Sequence, residues 1–276
     1  RFAPTPLVPS PFVRTSLRNV LNVGSTGTIE TESFIFEGEE VPGLAGTVSL
    51  AALELEYQLA LKRWLGLRAR LGLGAQFGTG VQTLLAEGLS STTYFEFGWV
   101  FALREGEKTA LGAGISVSNS TVMVMSVYNL VSDIVEGSSY GLSQTTPVLN
   151  AVADLRWAWA ASELVGVSLI GAVGNGETLD RSEGTDWFYR GGASLSFDLD
   201  KYDWPIAVSV AGSGDNFGGA VVPERRSSGK AGLIISYIGR DAFVFGLELH
   251  QARIPTSGTL DAVDVTSVGF SFNYYF

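Results

Sequence analysis

Apolar side chains that recur at every second position, tight turns that alternate with long connections, and a scarcity of charge all predict the same architecture. The chain reads as all-β, a transmembrane antiparallel up-and-down β-barrel of about twelve strands with short turns at one end and long loops at the other. Apolar residues make up 46% of the 276 positions and charged residues only 17%, against roughly 25% charged in an ordinary soluble domain. Aromatics at 11% and 34 Gly exclude both disorder and a coiled coil. The net charge of −10 excludes a general nucleic-acid binder, which needs a concentrated basic surface. With no Cys and one His, disulfides, thiol nucleophiles and Cys- or His-rich metal sites are excluded, and no cofactor or metal is expected.

In order along the chain, Arg1–Thr26 carries Arg1, Arg14 and Arg18 and no acid. Its opening, RFAPTPLVPSP, lacks the apolar core of a signal peptide and reads as the start of a mature chain. Pro4, Pro6, Pro9 and Pro11 exclude a helix before residue 12. Residues 1–26 are expected to form a periplasmic N-terminal tail or plug, and residues 27–276 the barrel. Thr28–Glu37 is the expected first strand despite its poor alternation, because an even strand count needs one before residue 46.

Leu53, Leu55, Tyr57, Leu59 and Leu61 then share one face and, after a break at Lys62 and Arg63, Leu65, Leu67, Ala69, Leu71 and Leu73 share the next. The same pattern recurs in Thr93–Leu103 with Leu111–Val117, Leu149–Trp159 with Val165–Leu169, Tyr189–Leu199 with Ile206–Val210, and Ala231–Tyr237 with Phe243–Leu249, ending in Val268–Phe276. The charge-free run Thr109–Ser132 is long enough for a membrane helix, but Ser116, Ser118, Asn119, Ser120 and Thr121 at its centre and its period of two argue for strand.

Two further signs separate a membrane barrel from a soluble one. Trp64, Trp99, Trp159, Tyr237, Phe243, Tyr274 and Phe276 gather at the short-turn end, as an interfacial girdle requires, with Trp187 and Tyr189 near the opposite rim. The face between the apolar residues is Gly, Ser and Ala with isolated charges, not the Lys, Glu and Thr of a wetted sandwich.

The ending Phe270-Ser271-Phe272-Asn273-Tyr274-Tyr275-Phe276 resembles the C-terminal signature of Gram-negative outer-membrane β-barrels. The resemblance implies that Phe270, Phe272, Tyr274 and Phe276 form an assembly signal read by the barrel-assembly machinery. It also implies an integral place in the outer membrane of a diderm bacterium, in contact with lipid and lipopolysaccharide, alone, as an oligomer or in a larger assembly.

The lumen face is expected to carry Glu54, Glu56, Arg68, Arg70, Glu96, Asp154, Arg156, Arg190, Asp198, Lys230, Glu248 and His250. Pairing across strands would set the two Glu of one strand against the two Arg of the next. Opposed charges across a lumen can orient polar solutes or can hold a narrow barrel shut. His250, alternating with Glu248, has no paired serine motif near Ser236 or Ser271, so no catalytic residue is expected. Apolar residues within Ser120–Ser143 suggest a loop folded inward as a constriction, or else a strand extension. The expected function is a porin-like channel for passive diffusion of small polar or cationic solutes, with a closed structural or anchoring barrel as the alternative.

Overall fold

The computed structural model describes residues 5, 7–30, 34–36, 39–41, 45–78, 89–125, 143–177, 184–216, 227–255 and 262–276. Twelve strands close into one antiparallel barrel. They are β1 (Ser16–Thr26), β2 (Val48–Lys62), β3 (Leu65–Gly78), β4 (Leu89–Glu105), β5 (Thr109–Met125), β6 (Ser143–Ala160), β7 (Val165–Glu177), β8 (Thr185–Asp198), β9 (Ile206–Asp215), β10 (Ser228–Tyr237), β11 (Phe243–Pro255) and β12 (Ala262–Tyr275). Each strand pairs with its sequence neighbours, and β1 closes the ring against β12. Closure leaves no unpaired edge, which is the condition for a sheet to sit in lipid.

The ladder sorts the side chains as their period of two requires. On β4, Glu96 and Val100 are buried while Phe95, Phe97 and Trp99 stand exposed. Leu71, Leu73, Ile115, Val117, Leu155, Leu195, Val210, Leu233, Leu247 and Phe270 likewise point outward, exposed. Among the described residues the buried hydrophobic cluster is small, Ala207 and Ile238 with Val244 against them. Polar inside and apolar outside is the reverse of a soluble barrel, and it gives lipid the apolar face and the lumen the charges.

The strand that completes the even count is Ser16–Thr26, not Thr28–Glu37. It pairs from Ser16↔Tyr275 to Thr26↔Val265 on one side and from Ser16↔Gln58 to Ser25↔Ser49 on the other. Leu17, Leu21 and Val23 face out, exposed, while Arg18 and Val20 are buried. Residues 29–30 and 34–36 instead take part in two short ladders, Ile29–Glu30 with Ala45–Gly46 and Phe34–Phe36 with Glu39–Val41. The barrel therefore begins at residue 16 rather than 27, and the segment preceding it is eleven residues shorter than the alternation suggests.

The tight connections all lie at one end: residues 63–64, 106–108, 161–164, 199–205 and 238–242. The longest of these contains a 3₁₀ turn, Asp200–Tyr202, closed by Asp203 in the left-handed region at φ 61°. Lys201 Nζ donates to Glu163 Oε2 at 3.0 Å across two neighbouring turns. That hydrogen bond, with the ammonium charge, holds the Glu163 carboxyl below its ordinary value and Lys201 above its own. Both termini of the sheet are at this end too, where Phe276 N donates to Thr15 O at 3.1 Å. The aromatic girdle is here as expected: ring centroids of Tyr237 and Phe243 lie 6.0 Å apart, Phe243 and Phe272 5.9 Å, and Tyr274 and Phe276 4.8 Å edge-on.

At the loop end β5 and β6 stay paired up to Met125↔Ser143. Residues 120–125 are therefore strand extension rather than an inward fold, and the rest of the expected constriction, 126–142, lies outside the described residues.

Candidate functional site

The most concentrated charge in the lumen sits on β2, β3 and β4. Arg70 and Glu56 are register partners, and Arg70 donates to Glu56 Oε2 through Nε at 3.0 Å and Nη2 at 2.6 Å. The same guanidinium lies 3.4 Å from Glu54 Oε1 and 3.6 Å from Glu96 Oε2. Arg68 pairs with Glu96, to which the Tyr94 hydroxyl also donates. The two-against-two pairing expected across β2 and β3 is thus shifted. Glu54 is opposite Gly72, so Arg70 serves both glutamates, and Arg68, opposite Gln58, turns to the next strand. Every carboxylate in this group has a guanidinium beside it, which a low-dielectric interior demands.

A second pair lies on β6. Arg156, 1% exposed, donates to both Asp154 oxygens, at 2.5 Å from Nε and 3.0 Å from Nη2. A Cβ on Gly114, opposite Asp154, would lie 2.5 Å from Asp154 Oδ2, so this glycine makes room for the ion pair. The glycines of the polar face are in this respect part of the charged lumen.

Residues 5 and 7–15, ahead of β1, lie against the turn end of that lumen. Arg156 Nη1 donates to Ser10 O at 3.2 Å, and Gln58 Nε2 donates to Phe12 O and Arg14 O, each at 3.0 Å. Ala60 N donates to Thr15 Oγ1 at 3.1 Å. Residues 7–15 form no strand or helix, so their carbonyls need outside donors, and buried side chains of the wall supply them. Thr5, Val8 and Val13 are buried in turn. The wall is shaped to match, since a Cβ on Gly112 would lie 2.7 Å from Pro11 O, and one on Gly66 3.1 Å from Val13 Cγ1.

The remaining expected residues are dispersed. His250 Nε2 and Glu248 Oε2 are 2.8 Å apart on β11, both buried. His250 Nδ1 has no partner among the described residues, and a Cβ on Gly232 would meet it at 2.4 Å, so the glycine makes room for the imidazole ring. Asp198 accepts from Asp200 N at 3.0 Å and so supports a turn. Arg190 and Lys230 are exposed, Arg190 being the register partner of Asp215, the last residue of β9 before the loop, and Lys230 standing two residues into β10. Three residues that matter lie outside the lumen set expected from alternation: Arg18, Gln58 and Tyr94. Gln58 and Tyr94 fall on the inward phase of their strands, whereas the alternation places Arg18 in the tail. Among the described residues no group of three metal-ligating side chains occurs.

Apolar band, girdle, closed ring and ion-paired interior together define a twelve-stranded β-barrel of the outer-membrane kind. No protein-family model matches the chain, and no curated protein matches it either. Solved structures do. An outer-membrane channel from Pseudomonas putida F1 is 14% identical with a TM-score of 0.53, covering 100% of both chains. LpxR from Salmonella typhimurium is 11% identical at 0.53, covering 95% of this chain and 100% of its own. The NanC porin is 8% identical at 0.52, with the same coverage. At these identities the likeness is one of fold.

Proposed function

We propose that the protein is a porin-like channel of the outer membrane of a diderm bacterium, through which small polar solutes diffuse passively. The observation that carries this reading is the ion-paired lumen around Arg70, where carboxylates of β2 and β4 face guanidiniums of β3. Ion-paired side chains on neighbouring strands make this side of the lumen wall polar and nearly neutral, so dipolar solutes can pass it without being bound tightly. The net charge of −10 favours cations approaching the barrel. The apolar band meets lipid and its loop-side rim meets lipopolysaccharide, while Phe270, Phe272, Tyr274 and Phe276 serve as the signal to the barrel-assembly machinery. The protein is not an enzyme on this reading, because neither ring nitrogen of His250 reaches a hydroxyl nucleophile among the described residues.

A second reading is a closed structural or anchoring barrel. Near-total burial of Arg156 and Glu248 and the segment held at the turn end favour it. Ion selectivity of purified protein in planar bilayers, taken from the reversal potential in a salt gradient, separates the two. Steady conductance with cation preference, altered by neutralising Glu54, Glu56, Arg68 and Arg70 together, supports the channel; silence of folded protein supports the closed barrel.

A further inference from the structure

We propose that the cavity at the turn end of the lumen binds a small carboxylate with an apolar body, held by the guanidinium of Arg18. The cavity, about 440 Å³, lies between the inserted N-terminal segment and the barrel wall, a size suited to a small organic ligand. Val8, Phe12, Val244 and Tyr275 give it apolar surface. Its charged lining is Arg14, Arg18, Arg156 and Arg240 against Glu56 and Asp241, an excess of positive charge.

Not all of these groups are free to meet a ligand. Arg156 is engaged by Asp154 and Ser10 O, and Glu56 by Arg70. Arg18 differs. It is 8% exposed, no hydrogen bond or ion pair within 4 Å joins it to another described residue, and its Nε has no partner. Its register partner Glu56 and Glu248 act on it only from beyond ion-pair distance, so the buried guanidinium has no direct hydrogen-bonded partner, and an oxyanion supplies one best because it can accept two parallel N–H donors. Arg14 and Arg240, near the rings of Phe12 and Phe243 at 5.5 and 5.7 Å, add positive potential at the mouth. A cation gains nothing from Arg18 there, and a neutral solute of the same shape leaves Arg18 without an oxyanion. The site stands whether or not the lumen conducts, so its test is a binding equilibrium rather than a current.

The experiment titrates the full chain, in lipid nanodiscs, with benzoate and with its neutral isostere benzamide, followed by calorimetry. The expected result is saturable benzoate binding, benzamide weaker by about tenfold or more, and loss of that preference in Arg18→Gln. Equal affinities, no benzoate binding, or an Arg18→Gln protein that keeps the preference would overturn the proposal. Should Arg18→Gln fail to fold, the comparison of benzoate with benzamide on the unaltered chain, repeated with Arg18→Lys, decides. A tenfold preference that weakens with Lys supports the site, and no preference, or one unchanged with Lys, rejects it.

Discussion

Arg156 shows at the scale of one residue how the lumen is held. Its guanidinium is almost wholly buried and satisfies both oxygens of Asp154 as well as Ser10 O. Replacing it by Met leaves a buried carboxylate with no partner, at a cost of about 3–5 kcal/mol. The expected outcome is a clear drop in the temperature at which the barrel loses its heat-modifiable mobility on gels, with Asp154→Leu added to Arg156→Met restoring much of it, because the uncompensated charge is then gone. Gly114→Leu should be destabilising for a steric reason, by about 1–3 kcal/mol, since its side chain would enter the space of the same ion pair; the same gel assay checks it. At this scale the sequence was informative about which residues face inward, because the period of two assigns the face directly. It was less informative about who pairs with whom. Arg70 serves Glu54 and Glu56 while Arg68 goes to Glu96, and that choice follows from register and side-chain reach, which alternation does not encode.

Among the elements, β1 is the one the alternation misplaced. Its outward face is Leu17, Asn19, Leu21, Val23 and Ser25, so a polar residue interrupts the apolar stripe at the second position and another ends it, and the Arg-bearing composition resembled a tail. The topological demand for one more strand was correct; the choice of Thr28–Glu37 was not, because local pattern is weak per segment in such barrels while ring closure between β2 and β12 decides the matter. A truncation lacking residues 1–15 should still close and migrate as a folded barrel, whereas one lacking residues 1–26 should not, having lost the strand that pairs with both neighbours. Val23→Arg, on the outward face of β1, should cost about 2–4 kcal/mol if it lies near mid-membrane, read as a lower urea midpoint for refolding into vesicles. Were Val23→Arg neutral, β1 would not face lipid.

Across the whole molecule, an apolar exterior encloses a charged interior whose turn end is occupied by the chain's own N-terminal segment. Fold class, strand number, the side on which the turns lie and the girdle were all readable from the sequence, since each rests on periodicity summed over many strands. A plug at the turn end is among the sequence expectations, but the contacts that hold residues 5 and 7–15 are not readable, because their donors, Gln58 and Arg156, lie 44 and 146 residues away from the carbonyls they hold. Gln58→Leu should loosen that segment, seen as faster proteolysis between residues 5 and 15 with the barrel intact. The most direct test of the channel reading is single-channel conductance in planar bilayers of the full chain beside the chain lacking residues 1–15. A steady current in the full chain that rises when the segment is removed is the predicted result. Silence from both proteins, each shown to be folded, would contradict it and leave a closed barrel.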